Sequence, residues 1–294
     1  MFSTRILLAL DMIKFEHSVF ALPFALTGAL LAIREDGYSL RMAAVKLVWI
    51  AVAMVAARSA AMAFNRLVDA DIDARNPRTR MRHLPAGVLS RGFTWAFVGA
   101  ACLLFLFAAR TLNSLCLRLA PAALVVLFFY SFTKRFTAFS HLVLGFCLGI
   151  APAAAWIAIE GRLDPRILWL TAAVTFWTAG FDVIYACQDY EFDGTEGLFS
   201  IPRWLGIGRA LLVARGFHML MVLCLAALVQ GLHLGVLAMA GVGAIIALLA
   251  YEHSLVKPDD FSRVDAAFFT MNGYVSVLFF FFWAADIFLL KPGA

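Results

Sequence analysis

Residues 43–73 read AAVKLVWIAVAMVAARSAAMAFNRLVDADID. The segment passes without a break from a mostly apolar run, of the roughly 20 residues a helix needs to cross a bilayer, into a cluster of oxygen-bearing side chains. Asn65, Asp69 and Asp73 follow one another at intervals of four. On a helix leaving the membrane they share one stripe. Hard oxygen donors in such a row suit Mg²⁺, which completes its shell with substrate phosphates. The plainer reading is a solvated helix end whose acids pair with Arg66 and Arg75. At the mouth of a membrane bundle unpaired charge is costly, so that reading is the weaker one.

The rest of the chain supports a membrane setting. Of its 294 residues 63% are hydrophobic and 15% charged, with a mean hydropathy of +0.88, whereas soluble domains carry roughly 25% charged residues. Apolar runs at 15–33, 43–63, 93–109, 115–132, 139–159, 167–188, 209–230, 232–250 and 267–290 predict an all-α polytopic protein. It should have about nine transmembrane helices and form one domain over 1–294. Segments 15–132 and 139–250 echo each other as a pseudo-repeat, with 267–290 as a ninth helix. The net charge of +5 comes with no basic helix or RNA motif, so no nucleic-acid partner is expected, and no obligate protein partner either. Positive residues collect instead in the N-terminus and in the loops after the second, fourth, sixth and eighth runs, which predicts those segments inside the cell. Cys102, Cys116, Cys147, Cys187 and Cys224 lie in or beside apolar runs and read as small buried hydrophobes. The first run follows the charged residues Asp11, Lys14 and Glu16, and no cleavage site of the signal-peptide type follows it.

A second cluster, Asp182, Tyr185, Asp189 and Asp193, is spaced 3, 4 and 4, which predicts one face of a helix. Asp182 falls inside a span, where a carboxylate needs a partner or a water-filled cavity. Two acidic clusters facing each other repel unless cations bridge them. Two Mg²⁺ ions with a diphosphate between them remove the repulsion and stabilise pyrophosphate as it leaves. Arg58, deep in the second run, and Lys134, at the end of the fourth, are candidate phosphate partners. Arg78 and Arg82 are further candidates, and Arg135 is placed either to hold an acceptor carboxylate or to anchor the chain at the membrane surface. The 28 phenylalanines offer wall material for an isoprenoid tunnel, but for each one lipid-facing or core packing is the plainer reading.

Together these residues resemble a known family. Asn65, Asp69 and Asp73, then Arg78-Thr79, Arg82, Pro85 and Gly87, then Tyr130, Lys134-Arg135 and Thr137, then Asp182, Tyr185, Asp189 and Asp193 look like the UbiA superfamily of intramembrane prenyltransferases. YACQDYEFDGTEGLFSIP (185–202) and YEHSLVKPDDFSRVDAAFFTMNG (251–273) resemble its 4-hydroxybenzoate-polyprenyltransferase-like branch, and within that the MqnP-type members of the futalosine route to menaquinone. The resemblance implies an all-helical bundle around a central cavity, Mg²⁺ dependence, a lipid-embedded site, and transfer of a polyprenyl group from its diphosphate to an aromatic acceptor. Asn65, Asp69 and Asp73 would hold one Mg²⁺, and Asp189 and Asp193 the other. Tyr185 would orient the diphosphate or stabilise an allylic cation, and Asp182 would position its neighbours. It also implies a bacterial inner membrane with the site facing the cytoplasm. Gly194-Thr195-Glu196 stands where the family would have a basic stretch. Relatives with chlorophyll-, haem-, tocopherol- or lipid-type acceptors are the near alternative. A cation transporter with acidic gates is the distant one, although transporters gather their binding groups near the midplane and these acids cluster at helix ends.

Overall fold

A computed structural model of the chain describes residues 2–14 and 18–289. The first residues of the expected span 15–33 and the last of 267–290 lie outside that range. The described residues form α1 (Phe2–Met12), α2 (Ser18–Asp36), α3 (Leu40–Arg75), α4 (Arg91–Leu112), α5 (Ser114–Thr133), α6 (Ser140–Glu160), α7 (Leu168–Ala186), α8 (Tyr190–Glu196), α9 (Ile201–Leu205), α10 (Ile207–Gly231), α11 (Val236–Leu255) and α12 (Asn272–Leu289). Eight helices among the described residues are long and apolar enough to cross a membrane. They match eight of the nine expected runs; the remaining run corresponds to α2, whose 19 residues end in the charged Arg34-Glu35-Asp36.

Apolar residues all round these helices leave no single amphipathic stripe to direct their packing. Close approach of small residues does that work, as is usual between helices in lipid. Gly145 and Gly149 on α6 meet α7 so tightly that a Cβ would come 2.2 Å from the Thr175 carbonyl oxygen and 2.6 Å from that of Thr171. Gly28 on α2 meets the Pro152 carbonyl of α6 in the same way, at 2.5 Å. Around these contacts Phe24, Trp156, Trp177, Phe279 and Trp283 fill the core, with Phe24 stacked on Phe279 at 4.5 Å and set against Trp177 at 4.9 Å.

One buried carboxylate serves a helix end. Asp286 of α12, 3% exposed, accepts from the backbone N–H groups of Gly235 at 2.8 Å and Ala238 at 3.0 Å. It thus caps the start of α11, where the macrodipole favours negative charge. Asp286→Ala leaves two buried donors unmet, and we expect a loss of roughly 1–3 kcal/mol. A fall in the thermal midpoint of purified protein, smaller for Asp286→Asn, is the measurement; an unchanged midpoint for the alanine variant would refute the cap.

The first aspartate cluster lies on the helix that leaves the membrane: α3 runs unbroken for 36 residues, about 54 Å, and so projects beyond the bilayer. Two local features depart from the sequence reading. The second cluster is not on one continuous helix. α7 stops at Ala186, Cys187–Asp189 tighten into a 3-10 turn, and α8 follows. The last span opens with a π-helical segment, Ala266–Met271, whose loosened carbonyls at Ala267 and Phe268 are met by the Asn272 side-chain amide at 3.4 and 2.8 Å.

Candidate active site

One cavity of about 680 Å³ opens between α3, α5, α6 and α7. Every third or fourth residue of α3 faces it, from Ile50 through Ala53, Ala57, Ala61 and Asn65 to Asp69 and Asp73. Its two ends differ in chemistry. Toward the ends of α3 and α7 its wall is Asn65, Asp69, Asp73, Asp182, Asp189 and Asp193; toward the other end it is Ile50, Ala53, Leu112, Leu119, Ala155 and Ala158. From Asp69 to Ile50 is nineteen residues of one helix, about 28 Å. Alanine and leucine, more than phenylalanine, line the deep end.

At the polar end Asp69, Asp73 and Asp189 are each matched by a cationic side chain. Asp69, 3% exposed, accepts from Lys134 at 2.6 Å, Arg135 at 2.9 Å and Asn65 at 3.1 Å. Asp73 takes both oxygens to one Arg82 nitrogen at 2.8 Å. Asp189 receives Arg78 through two nitrogens, at 3.0 and 2.5 Å, and Asn76 at 3.1 Å. Arg78 also donates to the Tyr185 hydroxyl at 3.2 Å and lies 5.2 Å from that ring's centre. Burial disfavours the charge on Arg78, but the hydrogen bonds and charge of Asp189 outweigh it and hold the guanidinium above its usual pKa. The loop after α3 therefore bridges the two motifs, helped by Arg75 on Glu196 at 2.8 Å. This answers the repulsion expected between the two acidic clusters with the chain's own Arg and Asn side chains. It also uses Glu196, in the segment where a basic stretch was expected, as a brace.

The other candidates fall in distinct places. Asp193 lines the cavity, and its carbonyl is held by Arg203, which also reaches the Gly194 carbonyl at 2.7 Å. Asp182 has a partner that the sequence did not announce: His141 of α6, Nδ1 to Oδ2 at 2.7 Å. The opposite ring nitrogen accepts from the Ile201 backbone N–H at 3.3 Å. Nδ1 therefore carries the proton and donates to Asp182, and the ring has no lone pair left for chemistry. Arg58 lines the cavity but turns its guanidinium to the carbonyls of Ile13 and Lys14 at 3.2 and 3.3 Å. Together with Arg66 on the Met12 carbonyl at 3.4 Å, it fastens the end of α1 across the mouth. Arg135 does not face the cavity. It packs behind Asp69, donating also to the carbonyls of Ser131 and Val68 at 2.6 and 3.0 Å, which makes it a clamp on Asp69 and removes it as a wall for an acceptor.

Asn76, Arg66 and His141 belong to the site and were missed. Asn76 was within reach, since it continues the α3 stripe three residues beyond Asp73. Two aromatic residues were also missed: Phe268 and Phe269, delivered by the π-helical segment, face the cavity, and Phe268 lies 4.2 Å from the Tyr185 ring.

The oxygen donors fit Mg²⁺ in type. Among the described residues no three His, Cys, Asp or Glu side chains converge on one point. Each motif offers a metal one or two carboxylates, as is usual where phosphates supply the remaining ligands.

Known proteins resemble this chain in sequence and in fold. A 4-hydroxybenzoate octaprenyltransferase of Vibrio cholerae is 32% identical over 222 residues, covering 75% of this chain and 77% of that one. The apo structure of a UbiA homologue from Aeropyrum pernix superposes with a TM-score of 0.81 at 33% identity, over 92% of this chain and 98% of the other. A UbiA homologue from Archaeoglobus fulgidus, solved with GPP and Mg²⁺, shares the fold with a TM-score of 0.74 at 22% identity, over 95% and 99% of the two chains. With residues 21–285 also matching the profile of the UbiA prenyltransferase family, the chain belongs to that family.

Proposed function

We propose that the protein transfers a polyprenyl group from its diphosphate to a ring carbon of an aromatic acid of the 4-hydroxybenzoate or 1,4-dihydroxy-6-naphthoate type. The reaction would serve ubiquinone or menaquinone synthesis. The single observation that carries this reading is the two-ended cavity. Its charged end suits a diphosphate, and its apolar depth of about 28 Å suits a long hydrocarbon tail in line with it. The relatives' aromatic acceptor supports the choice of acid.

Asn65, Asp69 and Asp73 would hold one Mg²⁺, and Asp189 and Asp193 a second. The metal supplies charge neutralisation on the departing pyrophosphate. Lys134, Arg78 and Arg82, each resting on an aspartate, are placed to donate to diphosphate oxygens when those carboxylates turn to metal. The C–O bond breaks toward pyrophosphate, and the face of Tyr185, backed by Phe268, presents π-electron density to the allylic cation. The apolar wall excludes water that would capture the cation. The acceptor ring attacks at carbon and then loses a proton. Asp182, braced by His141, keeps α6, α7 and α9 in register around these groups. We place the mouth toward the cytoplasm of a bacterial inner membrane, because Arg75, Arg78, Arg82 and Lys134 gather there.

Membranes containing the protein, given a labelled polyprenyl diphosphate and each acid in turn, should yield a prenylated acid whose mass reports both the acceptor and the tail length. Chelation by EDTA should stop the reaction, and Mg²⁺ should restore it. Absence of product with either acid would sink the acceptor assignment, and turnover insensitive to EDTA would sink the metal.

A further inference from the structure

A second cavity, of about 660 Å³, lies away from the first, between α10 and α11. Its floor is apolar: Met219, Val222, Leu223, Ile246, Leu249 and Ala250. Its polar residues, Arg215, His218, His253 and Ser254, gather at one end. Arg215 lies sixteen residues before Gly231, about 24 Å along α10. His253 lies seventeen residues after Val236, about 26 Å along α11. The short turn joining these helices marks the far side of the membrane. In a hydrocarbon core of about 30 Å both residues therefore lie within roughly 6 Å of its near edge, on the side of the aspartate motifs, and the long Arg215 side chain spans that remainder to the headgroups.

The polar end is built residue by residue. Gly180 of α7 makes the room, because a Cβ there would come 2.3 Å from the His218 ring. His218 Nε2 faces the Trp177 carbonyl at 3.3 Å. A carbonyl only accepts, so Nε2 carries the proton and Nδ1 is a bare lone pair. That lone pair faces His253 Nε2 at 3.0 Å, which must then be the donor. His253 is left with an acceptor, Nδ1, that has no hydrogen-bond partner among the described residues, on a half-buried ring. Beside it Arg215 is exposed and makes no hydrogen bond or ion pair with a described residue. A cation, a fixed acceptor and an apolar trough below them form one pattern.

We propose that this groove binds one anionic phospholipid with a hydroxylated headgroup, of the phosphatidylglycerol type. Arg215 pairs with the phosphate, His253 Nδ1 accepts from a headgroup hydroxyl, and an acyl chain lies along the floor. A zwitterionic choline lipid offers neither the net charge nor the hydroxyl donor.

The test is native mass spectrometry of the full chain in detergent, with phosphatidylglycerol, phosphatidic acid or phosphatidylcholine added. One phosphatidylglycerol should remain bound where phosphatidylcholine is shed. Arg215→Gln should lower retention of both anionic lipids about fivefold. His253→Phe should lower phosphatidylglycerol retention about fivefold and leave phosphatidic acid retention unchanged. Equal retention of phosphatidylglycerol and phosphatidylcholine, or wild-type retention by Arg215→Gln, would overturn the site. Equal losses of both anionic lipids in His253→Phe would overturn the headgroup contact. An unchanged thermal midpoint without added lipid verifies that each variant is folded.

Discussion

Asp69→Ala and Asp189→Ala should each lower prenyl transfer in membranes by on the order of 10²–10³-fold or more, with the protein still inserted at its normal level. Each substitution acts twice. It removes a carboxylate proposed to hold Mg²⁺, and it frees the cations that the carboxylate arranges. Without Asp69, the Lys134 ammonium and Arg135 guanidinium lose the acceptor that now holds them at 2.6 and 2.9 Å. Without Asp189, Arg78 keeps only its contacts with Tyr185 and Asn76. The neighbouring acid supplies the control. Asp71 is largely exposed and its salt bridge is to Arg91, away from the cavity, so Asp71→Ala should retain near-normal turnover. Initial rates of labelled product formation, normalised to the amount of membrane-inserted protein, measure all three. Wild-type rates in Asp69→Ala or Asp189→Ala would end the assignment of the motifs to metal and diphosphate.

Gly145→Leu should destroy the fold before it touches the chemistry. The Cβ alone would sit 2.2 Å from the Thr175 carbonyl oxygen and 3.0 Å from its carbon, and backbone cannot rotate aside as a flexible side chain can. α6 and α7 must then separate, and α6 supplies one wall of the cavity while α7 carries Asp182 and Tyr185. Overpacking of this kind costs about 1–3 kcal/mol for small insertions, and leucine adds three more carbons to the clash. Gly145→Ala should therefore lower the thermal midpoint, and Gly145→Leu should abolish accumulation of folded protein. Gly99, which has nothing within 4 Å of its added Cβ, should accept alanine without penalty. A Gly145→Leu protein that purifies as a monodisperse species with a normal midpoint would show that the interface is not set by this approach.

The features legible in the sequence were those carried by spacing along a single helix. Asn65, Asp69 and Asp73 reach one cavity because α3 never breaks, and hydropathy alone located the spans because lipid imposes their length. The missed features depend on meetings between helices distant in sequence. His141 looks like any polar residue at the start of an apolar run until α6 and α7 bring it to Asp182. Arg135 has the sequence of a ligand-binding cation, yet its position behind Asp69 is decided by how α5 meets α3. Arg58 read as a phosphate partner because its depth was visible, while the carbonyls of Ile13 and Lys14 that engage it lie in the turn directly after α1, a helix no apolar run announced. The 3-10 turn at Cys187–Asp189 is hidden for another reason: a small change of helical pitch leaves no mark in side-chain spacing.

The unbroken course of α3 also bears on product identity. One rigid rod carries both Asp69, at the end proposed for the diphosphate, and Ala53 and Ile50, at the end proposed for its tail, so the interval between them is that of a calliper whose jaws are locked. On that proposal the site does not stretch to admit a longer tail. Its choice of tail rests on how much volume single side chains leave at fixed depths. In this chain the α3 positions 53, 57 and 61, which face the cavity, are all alanine, so α3 itself takes up little of that volume as far as about 24 Å from Asp69.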